Sequence, residues 1–523
     1  MFWADKIAND IREKLADAHN GKSALVIRDE KTASGPVHVG AMRGVALHGI
    51  LSYILGKEGY ENTFLYEIND FDAYDTVLPG LDESFNEHLG KPLFSVPSPE
   101  GEGNYPEYYG TAFARVIQSA GFEPTFYYSS EQYKAGKYNN VIRTALERAV
   151  DINRINKEVS GSEKDAEHLP LMVICENCGK VSTTRATAFD GESVHYVCDQ
   201  EGSGAVGCKH EGDVSPYDGN AKLPWKVEWA AKFKVFDVDI EGEGKDLATK
   251  GGARDVANHI SREVFEYKPP YDAPYEFLLV DGKKMSTSKG NAATATAVAS
   301  LLPVKIFRTL LLGRDVKRAI NFDPAGDTIP ILFDQYDRLA QKYWEGAEDD
   351  DARLFSLIHE EEVPEALFLP RFSQIAYLVQ MAHLNLEEEV ANMKGEPLTT
   401  AEKKEVEERA QYALQWLSEY APDDFKFQLQ KDAVPEGAQA LSPEMKQAVQ
   451  KILSYIEAHK VLDGQELHGV LHDIRKESDI EPAEFFSSLY QSCLGKDSGP
   501  KAGWFLSVLP RDFLIKRLEE VSK

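Results

Sequence analysis

The feature that most constrains the fold is a strand, a glycine-containing loop and a helix in direct succession near the start of the chain. Ala24–Arg28 (ALVIR) is a short apolar run of the kind that forms a buried strand. After the loop, Val39–Leu55 has apolar residues at helical spacing and stops at Gly56, which we expect to cap the helix. A second strand-like run follows at Thr63–Ile68. This succession predicts a parallel α/β sheet.

The pattern changes after about residue 325. Up to that point strand-like runs alternate with helical patterns, and Phe277–Val280 is a further predicted strand. Beyond it the pattern is almost entirely helical, as in Pro370–Asn392 and Thr400–Tyr420. We therefore predict an α/β domain in two halves, an insertion between them and an all-helical C-terminal domain, with these bounds: 1–130, 131–215, 216–325 and 326–523.

Composition excludes several classes of protein. The 523 residues are 42% hydrophobic and 28% charged, which is ordinary for a globular chain with sizeable cores. No apolar run approaches the roughly 18 residues that span a bilayer, and the N-terminus predicts an amphipathic helix rather than a signal peptide. We expect a cytoplasmic protein without a membrane partner. The net charge of −28 argues against a general nucleic-acid coat protein but leaves room for a local basic face.

Four cysteines lie within 34 residues, in the predicted insertion. Cys175 and Cys178 form a Cys-x2-Cys pair, and Cys198 and Cys208 follow at wider spacing, each pair beside glycine. Close thiolates on such turns suit a tetrahedral zinc ion, and four protein ligands make the site structural rather than catalytic. Because the second pair is unusually wide, His210 is an alternative fourth ligand. The competing interpretation is four reduced thiols without a metal.

Two segments have the composition of phosphate-binding loops. The first, Thr32–Arg43, follows a predicted strand and opens a predicted helix, which places Gly35, His38 and Gly40 where unpaired N–H groups and the helix dipole favour phosphate. A histidine at this position is often a simple helix cap. The second, Gly282–Asn291, carries three lysines and three hydroxyl side chains and could wrap a triphosphate, or be an ordinary solvated basic loop.

Together the two segments resemble a known family. His38–Ala41 and Lys284–Ser288 look like the HIGH and KMSKS signatures of class I aminoacyl-tRNA synthetases. Within that class the chain resembles the lysyl-tRNA synthetases, densely over about residues 20–320 and by helical character alone beyond. The stretches that carry the narrower resemblance are Asn69–Asp75, Gly90–Leu93, Val96–Gly101, Pro106–Tyr109, Trp225–Trp229, Gly244–Asp246, Gly251–Gly252, Ile260–Val264 and Met285–Gly290.

The resemblance implies a Rossmann-type catalytic domain, an anticodon-binding helical domain and a ligase reaction. Lysine would be activated by ATP and Mg²⁺ to lysyl-adenylate and transferred to the 3′-terminal adenosine of lysine tRNA, with structural Zn²⁺ in the insertion. His38, Lys284 and Lys289 would act in catalysis. The ATP contacts would come from these positions: Gly35, His38, Gly40, Gly251, Gly252, Met285, Ser286 and Ser288. We expect a monomer.

A lysine pocket needs carboxylates for ammonium groups and an apolar wall for the aliphatic stem. The candidate acids are Asp70, Asp72 and Glu228, and the candidate walls are Trp229 and Tyr275, where a cation–π contact would help. Thr32 and Ser34 lie on the loop before His38 and could contact the amino acid. For any single acid, a surface role is the competing interpretation, as core packing is for Trp225 and Trp229.

Three departures from the family pattern leave alternatives open. They are Ala41 at the end of HIGH, Thr287 within KMSKS and Leu247 after Lys-Asp. A non-catalytic tRNA-binding paralogue would show such departures. A class I synthetase for another amino acid, such as cysteine or arginine, is a separate alternative. A bound tRNA would need a local basic track, for which we expect Lys180, Arg185 and residues 305–318, with affinity that falls steeply with salt.

Overall fold

The computed structural model describes residues 1–15, 24–162, 168–202, 204–280, 293–381, 384–499 and 501–523. The chain divides into two compact units. The mixed unit comprises Met1–Phe322 and Glu345–Val363, and the helical unit comprises Asp323–Trp344 and Pro364–Lys523. The bounds that the sequence predicts for the two halves of the first domain, the insertion and the helical domain stay predictions.

Three parallel strands in the order β1–β2–β3 form the central sheet of the mixed unit. They are β1 (Leu25–Thr32), β2 (Asn62–Asn69) and β3 (Thr125–Tyr128). Parallel bridges from Ile27 to Ile240, and from Ile240 to Tyr271, continue the pairing on the other side of β1. Because the strands are parallel, the carboxyl ends of β1 and β2 lie at one edge, which confirms the predicted α/β class.

Helices surround this sheet, and their bounds in the mixed unit are α1 (Trp3–Leu15), α2 (Met42–Lys57), α3 (Tyr105–Ser119), α4 (Ser129–Lys134), α5 (Asn139–Glu147), α6 (Ala149–Ser160), α7 (Trp225–Val235), α8 (Ala253–Glu263), α9 (Ala295–Ser300), α10 (Val304–Leu312) and α12 (Asp350–His359). Short 3-10 turns lie at Val39–Ala41, Glu83–His88 and Leu93–Ser95. The N-terminal segment is helical as predicted, and Phe2 and Trp3 are buried.

The helix after the first loop differs from its prediction in two ways. It runs through Gly56 to Lys57, and the backbone turns at Gly59, whose φ is +89°, so the predicted cap at Gly56 was wrong. Val39–Lys57 is also long and apolar enough, by length and composition, to cross a membrane, contrary to our expectation from the sequence. Two thirds of it (67%) is buried inside the fold, as in a core helix.

Residues 172–222, most of them within the predicted insertion, contain short antiparallel strands in three groups. Their bounds are β4 (Met172–Val173), β5 (Arg185–Phe189), β6 (Val194–Val197), β7 (Glu201–Gly202), β8 (Ala205–Val206), β9 (Glu211–Val214) and β10 (Ala221–Lys222). They pair as β5–β6–β9, β7–β8 and β4–β10. Two further strands of the mixed unit, β11 (Leu278–Val280) and β12 (Ile320–Phe322), pair in parallel with each other.

Gly90 is the point where the insertion docks on the loop that follows β2. Its carbonyl oxygen accepts hydrogen bonds from the N–H groups of Val181 at 2.7 Å and Ser182 at 3.2 Å. Its φ is +84°, and a Cβ there would lie 2.8 Å from the Cβ of Ala205 and 2.9 Å from Oγ of Ser182. Both the backbone angle and the space therefore require glycine.

The helical unit contains α11 (Thr328–Trp344), α13 (Phe372–Leu378), α14 (Leu386–Lys394), α15 (Thr400–Glu419), α16 (Glu436–Gln439), α17 (Pro443–Ala458), α18 (Gly464–Glu477), α19 (Pro482–Leu494), α20 (Ala502–Ser507) and α21 (Arg511–Ser522). The prediction over Thr400–Tyr420 is confirmed by α15, which a capping box between Thr399 and Glu402 starts. The prediction of continuous helix over Pro370–Asn392 was wrong, because α13 and α14 are separate helices.

Candidate functional site

The backbone after the second phosphate-binding segment is paired with the loop of the first. The N–H of Val39 donates to the carbonyl of Ala293 at 3.0 Å, and the N–H of Ala295 donates to the carbonyl of Val37 at 2.8 Å. His38 faces Thr294 in the antiparallel bridge between them. Strand β11 leads into the second segment, so both of its neighbouring stretches belong to the mixed unit. The predicted residues Lys284, Met285, Ser286, Ser288 and Lys289 lie outside the described residues.

His38 stands at the start of the turn that leads into α2. Its backbone is extended, with φ −74° and ψ 151°, and its side chain makes no capping hydrogen bond, so the simple-cap interpretation was wrong. Gly40 lies inside the 3-10 turn, one turn before the N-terminus of α2. Gly35 and Ser34 lie on the preceding loop, where the carbonyl of Ser34 accepts a hydrogen bond from the Tyr105 hydroxyl at 3.3 Å. The loop therefore holds these residues beside the amino end of a helix.

Asp70 follows β2 directly and is 3% exposed. One carboxylate oxygen accepts from the Ser129 hydroxyl at 2.8 Å and the Ser130 N–H at 2.7 Å, and the other accepts from the Ser130 hydroxyl at 2.6 Å. Burial raises the pKa of Asp70, and these hydrogen bonds oppose the rise without cancelling it. The carboxylate is therefore fixed in place by the start of α4.

Asp72 lies two residues further along and is more accessible, with 30% of its side chain exposed. Its Oδ2 accepts from the Thr32 hydroxyl at 2.8 Å and the Asn69 amide at 3.2 Å, which joins the ends of β1 and β2. Its Oδ1 lies 2.5 Å from Nζ of Lys222. Burial acts to raise the pKa of Asp72, but the charge and hydrogen bond of Lys222 lower it below its usual value. Asp72 is therefore a carboxylate with an open side.

Glu228 is the buried counterpart of Asp72. It is 1% exposed and accepts a hydrogen bond from the Tyr133 hydroxyl at 2.7 Å. Its Oε2 lies 3.3 Å from Nζ of Lys222 and 3.6 Å from Nζ of Lys232. Burial raises the pKa of Glu228, and the two lysines only partly offset this. Sequence reasoning missed both lysines, although a lysine within the apolar face of a helix, as at Lys232, is a detectable signal.

Lys222, Glu228 and Asp72 belong to a larger group of charges, which we call the ion-pair cluster: Arg28, Glu30, Glu67, Asp72, Lys222, Glu228, Lys232 and Glu241. Arg28 is fully buried and contacts Glu67 at 2.6 Å and Glu241 at 2.9 Å. The five carboxylates outnumber the three cations. A buried group with excess negative charge is stabilised by a further cation, and Glu30 and Asp72, each about one-third exposed (33% and 30%), are its accessible members.

The two predicted aromatic walls lie on different faces of β1. Trp229 stacks on Trp225, and its indole N–H donates to Glu241 at 2.5 Å, so it borders the ion-pair cluster. Tyr275 instead lies against α2, where a Cβ on Gly44 would be 2.7 Å from its hydroxyl and 2.6 Å from a carboxylate oxygen of Asp29. Because successive strand residues point to opposite faces, Asp29 faces away from its neighbours Arg28 and Glu30. The structure thus brings Trp229, but not Tyr275, to the cluster.

Gly251 and Gly252 form a tight turn before α8. The Gly251 N–H donates to Asp255 at 2.9 Å, and the Gly252 N–H donates to the carbonyl of Thr249 at 2.7 Å. Both groups are therefore used within the turn, which is the geometry of the simple-turn alternative. Close by, Glu243 and Arg254 are buried and 3.4 Å apart. Burial raises the pKa of Glu243 to about 9, and the charge of Arg254 only partly opposes this.

The four cysteines converge as predicted. The sulfur atoms of Cys175, Cys178, Cys198 and Cys208 all lie within 4.8 Å of one another, and those of Cys175 and Cys208 are 3.7 Å apart. The group of possible metal ligands consists of these four cysteines and does not include His210. Burial raises the pKa of Cys178 to about 12, in a group where each thiol crowds the next. Four sulfur atoms at this separation have the arrangement of a tetrahedral metal site.

The predicted basic track is only partly available. Arg308, inside the predicted stretch 305–318, is 3% exposed and pairs with Glu360, so it belongs to the core and that part of the prediction was wrong. Arg314, Lys317 and Arg318 are exposed. Arg185 pairs with Asp199 at 2.8 Å. A basic track for tRNA at the exposed positions Arg314, Lys317 and Arg318 therefore stays a prediction.

Comparison with known proteins gives matches along the whole chain. The family described as tRNA synthetases class I (K) matches residues 1–362, and the family described as Anticodon binding domain matches residues 366–522. The lysine–tRNA ligase of Methanosarcina barkeri is 33% identical over 551 residues, with 100% of this chain and 98% of that chain covered. The lysine–tRNA ligase of Archaeoglobus fulgidus is 30% identical over 523 residues, with 99% of each chain covered. That of Thermoplasma volcanium is 31% identical over 525 residues, with 100% and 99% covered.

Proposed function

Because the chain belongs to the class I (K) family of tRNA synthetases, we propose that it is a lysine–tRNA ligase whose chemistry takes place at the carboxyl ends of β1 and β2. The family uses ATP and Mg²⁺, and its substrates are an amino acid and a tRNA. The observation that carries this proposal is the hydrogen bond from the Thr32 hydroxyl, at the end of β1, to Asp72, which follows β2. Since the phosphate-binding loop continues directly from Thr32, this contact supports a site at the carboxyl edge of the sheet.

The reaction consists of two nucleophilic displacements, the first at phosphorus and the second at carbon. A carboxylate oxygen of lysine attacks the α-phosphorus of ATP, the bond to the β-phosphate bridging oxygen breaks, and pyrophosphate leaves. A ribose hydroxyl at the 3′ end of the tRNA then attacks the carbonyl carbon of lysyl-adenylate, loses its proton and releases AMP. Neither step needs a covalent enzyme intermediate, so positioning and charge stabilisation supply the acceleration.

The phosphate end of ATP would lie at the loop before α2. His38, Gly35 and Gly40 would approach the phosphates there, and the amino end of α2 favours their charge. Lys284 and Lys289 would neutralise the charge that develops as pyrophosphate leaves, with Met285, Ser286 and Ser288 beside them. Gly251 and Gly252 would support the adenosine through the shape of their turn rather than through free N–H groups.

The lysine substrate would bind at the accessible edge of the ion-pair cluster. Asp72 is the acid with an open side, and Thr32 holds one of its oxygens, so an ammonium group of lysine would contact Asp72. Glu228 and Asp70 would support the pocket without contacting the substrate, because both are almost fully buried and already hydrogen-bonded. Trp229 would cover part of the aliphatic stem. Tyr275 lies on the other face of β1, so it would pack against α2 and would not form a wall of the lysine pocket.

Zinc would occupy the cluster of four cysteines. The four thiolate ligands suit Zn²⁺, and with all four positions taken by protein the ion would stabilise the insertion rather than take part in the reaction. Cys208 rather than His210 would be the fourth ligand. The protein would work as a monomer in the cytoplasm.

Aminoacylation with each of the twenty amino acids tests the function. The full-length protein is mixed with ATP, Mg²⁺ and total tRNA, and the tRNA is included because activation can depend on it. We expect charging with lysine alone. Charging with another amino acid would keep the reaction but contradict the lysine pocket. Binding of tRNA without any charging would identify a non-catalytic paralogue. Ala41, Thr287 and Leu247 would then mark an active site that has lost its activity.

A second assay tests the catalytic residues. Replacing His38, Lys284 or Lys289 with alanine should lower the rate of adenylate formation by about 10²–10³ each, since each removes a donor or cation from the reacting phosphates. The matched control is Lys245→Ala, an exposed lysine of the same unit that pairs with Glu276. Equal rates for the control and the three variants would contradict the assignment.

A further inference from the structure

Lys31 is a partly buried lysine, the last residue but one of β1. Its ammonium group makes no hydrogen bond to any described residue, and no carboxylate of those residues lies within 4.0 Å of it. Lys222 and Lys232, by contrast, each contact two or more carboxylates. Because a cation taken out of water without a partner is costly, Lys31 is a candidate for contact with an anionic substrate.

The electrostatic surroundings of Lys31 agree with such a contact. Burial lowers the pKa of Lys31, and the charges of Asp29 and Glu30, which act from a longer distance, only partly oppose this. An anion beside the ammonium group would favour its charged form, and the charged form would in turn bind the anion more tightly. The side chain is thus suited to an anion that binds and leaves in the course of a reaction.

Lys31 lies on the face of β1 that packs against α2. Successive strand residues alternate between the two faces, so Lys31 shares a face with Asp29. Its neighbours Glu30 and Thr32 lie on the other face, with the ion-pair cluster. A Cβ on Gly44 of α2 would be 2.6 Å from a carboxylate oxygen of Asp29, which shows where the helix crosses the strand.

The geometry of strand and helix brings Lys31 level with Gly40. Lys31 is two residues nearer the carboxyl end of β1 than Asp29, which is about 6–7 Å along a strand. Because α2 connects two parallel strands, it runs back along β1. At about 1.5 Å per residue, the step from Gly44 back to Gly40 covers about 6 Å. Lys31 therefore lies beside the amino end of α2, where N–H groups and the helix dipole favour phosphate.

The neighbouring residue Thr32 indicates which phosphate of ATP would lie at Lys31. Thr32 holds Asp72, the proposed contact of the substrate lysine, on the opposite face of the same strand end. The first step joins the carboxylate of that lysine to the α-phosphorus, so these two groups must meet where the two sites adjoin. The β- and γ-phosphates would point away from this place, toward Lys284 and Lys289. The phosphate nearest Lys31 is therefore the α-phosphate.

We propose that Lys31 contacts the α-phosphate of ATP and of the adenylate, on the face of β1 opposite the substrate lysine. The proposal rests on the proposed function, since it takes ATP as a substrate, and it deepens that function by adding a catalytic residue. The ammonium group keeps its proton throughout and stabilises the charge on the α-phosphate as the carboxylate attacks. The end of one strand thus serves both reactants, one on each face.

Binding of three small ligands by the full-length protein tests this contact. Calorimetry measures the affinity for AMP, which carries the α-phosphate, for adenosine, which lacks it, and for inorganic pyrophosphate. We expect Lys31→Met to weaken the binding of AMP by about 10-fold or more, since a hydrogen bond between charged groups is lost. The affinities for adenosine and pyrophosphate should stay within twofold of those of the wild type.

Two further variants and a stability measurement separate the contact from damage to the fold. Lys31→Arg keeps the charge and should retain most of the affinity for AMP. Lys57→Met is the matched control, because it removes an exposed lysine at the other end of α2, which pairs with Glu361, and it should change no affinity. In urea unfolding, Lys31→Met should be as stable as the wild type or more stable, since methionine replaces a partly buried cation without a partner.

Four results would overturn the assignment of Lys31. Equal losses of affinity for AMP and adenosine would indicate a distorted site. A loss for pyrophosphate alone would place Lys31 at the leaving group. A Lys31→Met protein that is less stable but binds AMP like the wild type would show that the lysine serves Asp29 within the fold. Failure of the wild type to bind AMP would contradict a nucleotide contact altogether.

The outcomes also distinguish this inference from the proposed function. If the wild type charges lysine tRNA and Lys31→Met binds AMP as the wild type does, Lys31 is not a contact of the α-phosphate, and the ligase assignment stands. If the loss of affinity is specific to AMP but no amino acid is charged, the nucleotide contact is confirmed and the ligase assignment fails.

Discussion

The ammonium group of Lys222 lies 2.5 Å from a carboxylate oxygen of Asp72, at the place where we propose that the substrate lysine binds. The chain thus places one of its own lysine side chains, 2% exposed, on one side of this acid and leaves the other side open. Lys222 also contacts Glu228 at 3.3 Å. The acid that would receive the substrate is therefore held in its ionised form, in a fixed orientation, before the substrate arrives.

Replacing Lys222 with methionine should lower the free energy of unfolding by about 3–5 kcal/mol, because it leaves buried carboxylates without their cation. Adding Glu228→Gln should recover part of the loss by removing one of those charges. Urea unfolding followed by circular dichroism measures both. The exposed Lys245→Met, which breaks a surface pair with Glu276, should cost no more than about 1 kcal/mol. A loss for Lys222→Met as small as that of the control would contradict the role of the pair.

Replacing Asp72 with asparagine should raise the KM for lysine by about 10-fold or more and leave the KM for ATP within twofold. The reason is that a charged hydrogen bond to the substrate ammonium becomes a neutral one. Steady-state charging at saturating tRNA measures both constants. Asp75→Asn alters an exposed acid three residues away and should change neither. A parallel rise in both KM values would point to a disturbed fold instead of a lost contact.

Glu243 should make stability depend on pH. Its pKa of about 9 in the folded protein exceeds its value of about 4.3 in an unfolded chain, so the folded state holds the proton more tightly between these limits. The free energy of unfolding should therefore fall as pH rises across this window, by up to about 1.4 kcal/mol per pH unit from this group. Glu243→Gln removes the titration.

The test compares urea unfolding of wild type and Glu243→Gln at pH 6, 7 and 8, which are chosen values within that window. The stability of the variant relative to the wild type should rise at each step. Glu123→Gln, at an exposed position of the same unit, should leave the slope as it is. A constant difference between the variant and the wild type would show that the side chain is ionised throughout.

Metal analysis of the purified protein should find about one zinc ion per chain, as four thiolates make one tetrahedral site. Cys178→Ser should lose the metal and lower the thermal midpoint, because the ion stabilises the insertion. His210→Ala should keep both the metal and the midpoint, since the histidine lies outside the sulfur cluster. Loss of zinc from His210→Ala would reverse the assignment of the fourth ligand.

The local elements of this protein could be predicted from the sequence, because each depends on a few adjacent residues. Strands β1 and β2, the loop at His38 and the cysteine cluster all belong to this class. The ion-pair cluster could not be predicted, since Lys222 and Asp72 are 150 residues apart and meet only in the folded protein. Arg28 lies within an apolar strand, where its charge gave no indication of its partners.

The sequence analysis also failed to predict where one helix ends and which face of the sheet one side chain reaches. Gly56 was a reasonable stop signal, yet packing of α2 inside the fold carries the helix past it. Tyr275 was placed with Trp229 by its residue type alone, and the structure separates them because the two lie on opposite faces of β1. Such outcomes depend on which face of a strand a distant segment reaches, and no local pattern records that.

The fit at Gly90 has a consequence for how such chains can diverge. A side chain there would collide with Ala205 and Ser182, and the φ of +84° disfavours one in any case. Residues that are about one hundred positions apart in the sequence must therefore change together or not at all. An insertion transplanted from a relative would need the loop around Gly90 to be transplanted with it.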